Sequence, residues 1–124
     1  MCKILMPINP EYVSEILSGR KKYEYRKIRA KRKNIDKMII YSTYPVMKVV
    51  AEVDISDIIE AKPEKLWEMT KHASGISKDF YYKYYKNRDT AVAYQLGRIK
   101  IYETPKSLIE IGINYIPQSF VYID

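Results

Sequence analysis

The chain has 124 residues, 47% of them apolar, and carries 22 lysines and arginines against 15 acids, a formal charge of +7. This length suits one domain with its own core and needs no disulfide or metal to hold it. One cysteine, Cys2, and one histidine, His72, exclude a disulfide framework, a Cys-rich zinc site and any centre built on two imidazoles.

Apolar runs are short. None approaches the roughly 18 residues of a membrane span, and none forms the apolar core of a secretory leader. The expectation is a cytoplasmic domain in a reducing compartment, with no cofactor. Charge is unevenly placed. Arg20 to Lys33, RKKYEYRKIRAKRK, holds nine basic residues and one acid, Glu24, whereas the remainder sums to −1. Concentrated positive charge suits a polyanion, because neutralising phosphates supplies most of the sequence-independent affinity for nucleic acid. The same stripe also serves as a solvated loop or as a docking surface for a protein partner. No large apolar amphipathic face lies beside it, which argues against a membrane surface.

Residues 3 to 8 (KILMPI) form an apolar run suited to a buried strand. Asn9 or Pro10 then opens a helix, with Tyr12, Val13, Ile16 and Leu17 at helical spacing and Gly19 as its C-terminal cap. Residues 21 to 27 (KKYEYRK) alternate with period two, so a strand there puts Lys22, Glu24 and Arg26 on one face and Tyr23 and Tyr25 on the other. The basic stretch 29 to 34 reads as a loop. Residues 37 to 42 (KMIIYS) read as a central strand that Thr43-Tyr44-Pro45 breaks, and 47 to 59 as one long strand or two that bend. Pro63 starts a helix over 63–73 with Trp67 as its core anchor. Ser77 caps a second helix running to Lys86.

Residues 90 to 103 form a long alternating strand interrupted at Gly97, where a bend or bulge belongs. Pro105-Lys106-Ser107 opens a short helical turn, and 118 to 123 (QSFVYI) is a final strand. Strands interrupted by helices without a βαβ rhythm predict an α+β, mainly β architecture, a small mixed barrel rather than a doubly wound sheet.

The segment ILSGRKKYEYR, residues 16 to 26, resembles the signature of ASCH domains in the PUA-like superfamily: a helix ending in Gly, basic residues, then a strand with a polar position before Arg. Gly19, Lys21, Glu24 and Arg26 occupy those places. IYSTYP (Ile40 to Pro45) and PQSFVYI (residues 117 to 123) are also similar to ASCH segments, so the likeness spans essentially the whole chain. The resemblance implies a PUA-like mixed-sheet pseudo-barrel with flanking helices. It also implies a cleft lined by Gly19–Arg26 and a role in binding RNA or modified nucleosides.

One branch of the family hydrolyses N4-acetylcytidine, and nuclease activity has been proposed for others. The hydrolase branch carries G-R-K-T-x-T-x-R, with the Lys and second Thr catalytic together with a more distant acid. Gly19, Arg20, Lys21 and Arg26 match that string. Lys22 and Glu24 stand in place of the two threonines, and the distal acid has no convincing counterpart near Ser74 to Ser77.

The residue chemistry gives each candidate two readings. Lys21 is a phosphate or ligand contact, or a general base if burial or neighbouring cations lower its pKa. Glu24 is an ion-pair partner for Lys22 and Arg26, or a carboxylate accepting from a base's amino group. Arg26 offers a planar fork for phosphate or carboxylate. Ser42, Thr43 and Tyr44 end a strand, where site residues and turn-satisfying hydroxyls both occur. Gln118 and Ser119, opening the last strand, are similar. His72 reads as a surface helix residue, and Tyr81, Tyr82, Tyr84 and Tyr85 as a core-facing pair and a surface pair. The candidate RNA- or ligand-binding set is therefore Lys21, Lys22, Glu24, Arg26, Ser42, Thr43, Tyr44, Gln118 and Ser119. Lys21 and Glu24 are catalytic if the chain is an enzyme, and no metal site is expected.

Overall fold

The computed structural model describes residues 2–123. Strand β1 (Cys2–Ile8) is the first apolar run. Ile4, Met6 and Ile8 enter one core and Leu5 another, so β1 is buried on both faces and belongs inside a sheet. Helix α1 (Pro10–Leu17) follows. The Asn9 side chain accepts the Glu11 N–H, Pro10 occupies the first turn, and Val13 and Ile16 face the core. The chain leaves the helix through Gly19 at φ +86°, a conformation costly for any residue with a Cβ.

Strand β2 (Tyr23–Arg26) is shorter than the alternation of residues 21–27 suggests. The reason is local. The Arg20 and Lys21 amides both donate to the Glu15 carbonyl, and the Lys22 amide donates to the Ala73 carbonyl. Those donors are committed before sheet pairing begins at Tyr23. Strand β3 (Ile35–Ser42) and strand β4 (Lys48–Ala61) form an antiparallel pair. The second is one continuous strand carrying register shifts, which resolves the choice between one strand and two.

The expected helix over 63–73 divides into α2 (Pro63–Thr70) and a 3-10 turn at Lys71–Ala73. Helix α3 (Lys78–Tyr84) starts where expected, with the Ser77 hydroxyl accepting the Phe80 N–H. Strand β5 (Ala91–Lys106) runs three residues beyond the expected end and takes Pro105 into the strand. The helical turn comes later, at Ile109–Ile111. The bulge expected at Gly97 is present: Ile55 pairs with Leu96 and Val53 with Ile99, so β5 carries one extra residue there. The last strand, β6, covers only Val121–Ile123.

The sheet order is β2-β5-β4-β3-β1-β6, with β1 and β3 parallel and the other neighbours antiparallel. This mixed sheet with flanking helices is the α+β architecture expected, with one correction. The sheet is not closed into a barrel, because its outermost strands, β2 and β6, are four and three residues long and do not pair with each other. Three apolar clusters hold it. One lies under α1, and one is formed by β1 and β3 with the chain around residues 108–113. The third is aromatic, with Tyr23, Tyr25, Trp67, Tyr81 and Tyr85 joining β2 to α2 and α3. No helix among the described residues is long and apolar enough to cross a membrane.

Candidate functional site

A cleft of about 180 Å³ opens where α1, β2 and α3 meet the end of β1. Ile8, Tyr12, Tyr25, Ile76, Phe80 and Tyr84 form its apolar walls, and Lys21, Glu24 and Arg26 supply its charge. The sequence segment around Gly19 explains how a lysine comes to be buried there. The Gly19 turn and the two amides bound to Glu15 direct residue 21 inward, while Lys22 is clamped between Ala73 and Leu96 by its backbone N–H and C=O. Lys21 is only 2% exposed and Glu24 7%.

The Lys21 ammonium donates to the Ser74 carbonyl at 2.7 Å and lies 3.9 Å from Glu24 Oε1. It also sits 4.8 Å from the Tyr25 ring centroid and 5.7 Å from that of Tyr12. Burial pushes its pKa below the ordinary lysine value. Glu24 opposes that shift, and Arg26 adds to it. Arg26 donates through Nε and Nη2 to one Glu24 oxygen, Oε2, at 3.1 and 3.0 Å, and Nη2 also reaches the Pro7 carbonyl at 2.6 Å. Oε1 is thereby left without a hydrogen-bond donor among the described residues, beside a lysine that still has protons to give. A ligand entering the cleft meets an acceptor and a donor next to each other.

The structure brings Lys21, Glu24 and Arg26 together. It sends Lys22 elsewhere, since Lys22 is exposed and lines a separate groove with Gln95 and Gly97. Ser42 is buried at the end of β3, and the Thr43 amide donates to the Ile8 carbonyl, which places this turn beside the cleft without lining it. Tyr44, before the cis Tyr44–Pro45 bond, is 80% exposed. Gln118 and Ser119 precede β6 and are not among the residues lining the cleft.

His72 is exposed and meets Tyr23 edge-on. Of the four helix tyrosines, Tyr81 and Tyr85 are buried while Tyr82 and Tyr84 are half-buried, and Tyr84 lines the cleft. Sequence reasoning missed Tyr12, Ile76 and Phe80 as walls. Their only signals were an aromatic on α1 and the polar Ser-Gly break ahead of α3. No group of three His, Cys, Asp or Glu among the described residues could hold a metal ion.

Comparison with known proteins identifies the fold. The ASCH domain family pattern matches residues 6–103. The crystal structure of ASCH from Zymomonas mobilis superposes with a TM-score of 0.88 at 25% identity, covering 98% of this chain and 87% of that one. A serine-to-alanine mutant of ZmASCH from the same organism gives 0.89 at 24% identity, covering 98% and 88%.

Two curated relatives come from Ureaplasma parvum. One is named ATP synthase subunit alpha, 26% identical over 121 residues and 97% of this chain. The other is named large ribosomal subunit protein uL22, 31% identical over 87 residues and 70% of this chain. The chain spans only 15% and 28% of the lengths of those two proteins. With a match over most of its length and the fold shared with solved ASCH structures, the chain belongs to the ASCH domain family, whose PUA-like fold carries a proposed role in RNA binding.

Proposed function

We propose that this protein binds RNA or a modified nucleotide, in a cytoplasmic setting, by taking one base into the cleft of Lys21, Glu24 and Arg26. One observation carries the reading: Glu24 Oε1 stands open beside the Lys21 ammonium at the base of an aromatic-walled pocket. A nucleobase edge offers the complement, an N–H next to a ring nitrogen or carbonyl. Tyrosine and phenylalanine faces stack on the ring with little regard to its identity. The pocket is smaller than the roughly 300–1,000 Å³ of drug-sized sites, in keeping with one ring system rather than a stretch of polymer.

The test is binding of a labelled single-stranded RNA pool and of free nucleosides, N4-acetylcytidine among them, to the wild type, Lys21→Ala and Glu24→Gln. Loss of affinity in both variants at unchanged folding supports the reading. Wild-type affinity in both overturns it.

A second reading, hydrolysis of a modified nucleoside, rests on the placement of Lys21 3.9 Å from Glu24 Oε1 inside the cleft, where burial lowers the lysine pKa in the direction a general base needs. Glu24 in the position of a nucleophilic threonine requires water as the nucleophile. Acetate released from N4-acetylcytidine by the wild type and not by Lys21→Ala would establish it.

A further inference from the structure

The basic segment divides in two. Lys21 and Arg26 face inward, whereas Lys27, Arg29, Lys31 and Lys33 are exposed on the loop between β2 and β3. That loop has no regular secondary structure, yet its backbone is pinned. The Tyr94 hydroxyl accepts the Ala30 N–H at 2.9 Å and donates to the Ile28 carbonyl at 3.2 Å. The Tyr122 hydroxyl accepts the Lys31 and Arg32 amides at 2.9 and 3.3 Å. Ala30 is buried as the loop's anchor. Two tyrosines, from β5 and β6, thus fix the course of the backbone from which the cations project.

Charge pairing in the fold does not account for the cations so displayed. Lys27, Lys31 and Lys33 make no ion pair with a described carboxylate, and the Arg29–Glu60 approach is long, at 3.8 Å between half-exposed groups. The loop also begins at the cleft. The Lys27 ammonium lies 4.8 Å above the ring of Tyr84, which lines the pocket, and Arg88 donates to the Lys27 carbonyl on the same rim. From there Lys27, Arg29 and Lys31 line a shallow furrow, which continues with Lys33.

We propose that this loop is a preformed track for the sugar-phosphate backbone of a single strand whose base occupies the cleft. The ligand of this protein is then a polynucleotide and not a free nucleoside. The inference rests on the cleft reading above and adds the polymer to it. A rigid cationic track lowers the ordering cost of binding. Each phosphate it neutralises contributes about 0.7 to the slope of log affinity against log salt.

The experiment measures binding of a labelled 12-nucleotide single-stranded RNA across a salt series, with the wild type, a Lys31→Ala/Lys33→Ala double variant, and Glu24→Gln. The expected result is at least a ten-fold loss of affinity at low salt for the loop variant, with the salt slope reduced by about 1.4, two phosphates' worth. Glu24→Gln is expected to lose affinity with its slope intact. An unchanged slope and affinity in the loop variant overturns the track and leaves the cleft reading standing. An effect of the loop variant with none from Glu24→Gln overturns the cleft reading and, with it, a track anchored by a base in the cleft. Equal displacement of the RNA by polyglutamate at matched charge overturns the nucleic-acid assignment in favour of an acidic protein.

Discussion

Gly75 lies against the stem of Lys21 so closely that a Cβ on it would stand 2.4 Å from Lys21 Cβ and 2.6 Å from Cγ. Gly75 also has φ +68°, a conformation that side-chain-bearing residues rarely adopt. The glycine is therefore what lets a lysine be buried with its ammonium on the adjacent Ser74 carbonyl. Gly75→Ala is expected to destabilise the fold by about 2 kcal/mol through overpacking and backbone strain. It should also expose Lys21 to amine-modifying reagents. Urea denaturation and modification rates measure both, and wild-type values in each would refute the close-approach account.

Arg26 ties β2 to β1 through the Pro7 carbonyl while holding Glu24 on its own strand. Arg26→Ala leaves the buried Glu24 carboxylate without its hydrogen-bonding partner, with only Lys21 at 3.9 Å, and breaking such pairs costs about 3 kcal/mol or more when fully desolvated. Because the Arg26 side chain is partly exposed, a loss of about 2 kcal/mol is expected. Arg26→Lys should recover only part of it, since a point charge cannot reach both partners at once. Equilibrium unfolding of the two variants decides the matter.

Tyr94→Phe removes one hydroxyl that serves both Ala30 and Ile28. The ring stays packed, so the cost is that of an unsatisfied buried amide, about 1–2 kcal/mol. Amide hydrogen exchange should accelerate at Ala30 and its neighbours while β3 and β4 stay protected. Acceleration spread evenly over the sheet would mean that the tyrosine acts through the core instead of the loop.

Alkaline pH acts on the aromatic cluster. Burial pushes the Tyr25 hydroxyl up to about 12 from its ordinary 10, and raises Tyr81 and Tyr85 as well. Thr70 gives its own proton to the Leu66 carbonyl, so Tyr25 is the donor in the 2.7 Å bond to Thr70 and needs its proton. The folded state then holds protons that the unfolded chain releases, and this stability is present below pH 10 and lost as pH climbs through 12. Lys21 works in the opposite sense. Its folded pKa is lowered, so the unfolded chain binds more protons and stability rises with pH up to the ordinary lysine value of 10.5. Unfolding free energy measured from pH 8 to 12 should therefore rise slightly and then fall. Lys21→Met should abolish the rise and keep the fall.

Much of this was legible in one dimension because local chemistry decides it. Asn9-Pro10 starts α1, Ser77 caps α3, and Gly97 carries the bulge. The candidate segment holding Lys21, Lys22, Glu24 and Arg26 was equally readable, but the alternation put Lys22 on the face of Glu24 and Arg26, whereas the structure places Lys21 with them. Errors arose where a distant backbone partner won. The Ala73 carbonyl takes the Lys22 amide and stops β2 from starting earlier, and pairing with β4 keeps Pro105 and Lys106 in β5 instead of a helical turn.

The sequence by itself determined the family resemblance, the location of the charge and the helix and turn signals, because each depends on residues near one another along the chain. Only the tertiary structure decided that Lys21 is buried and Lys22 is not, and that Tyr12, Phe80 and Tyr84 wall the cleft. It alone showed that hydroxyls at positions 94 and 122 hold the basic loop. These depend on pairings across tens of residues, where burial and hydrogen-bond satisfaction are set by which strands become neighbours and leave no periodic trace in the sequence.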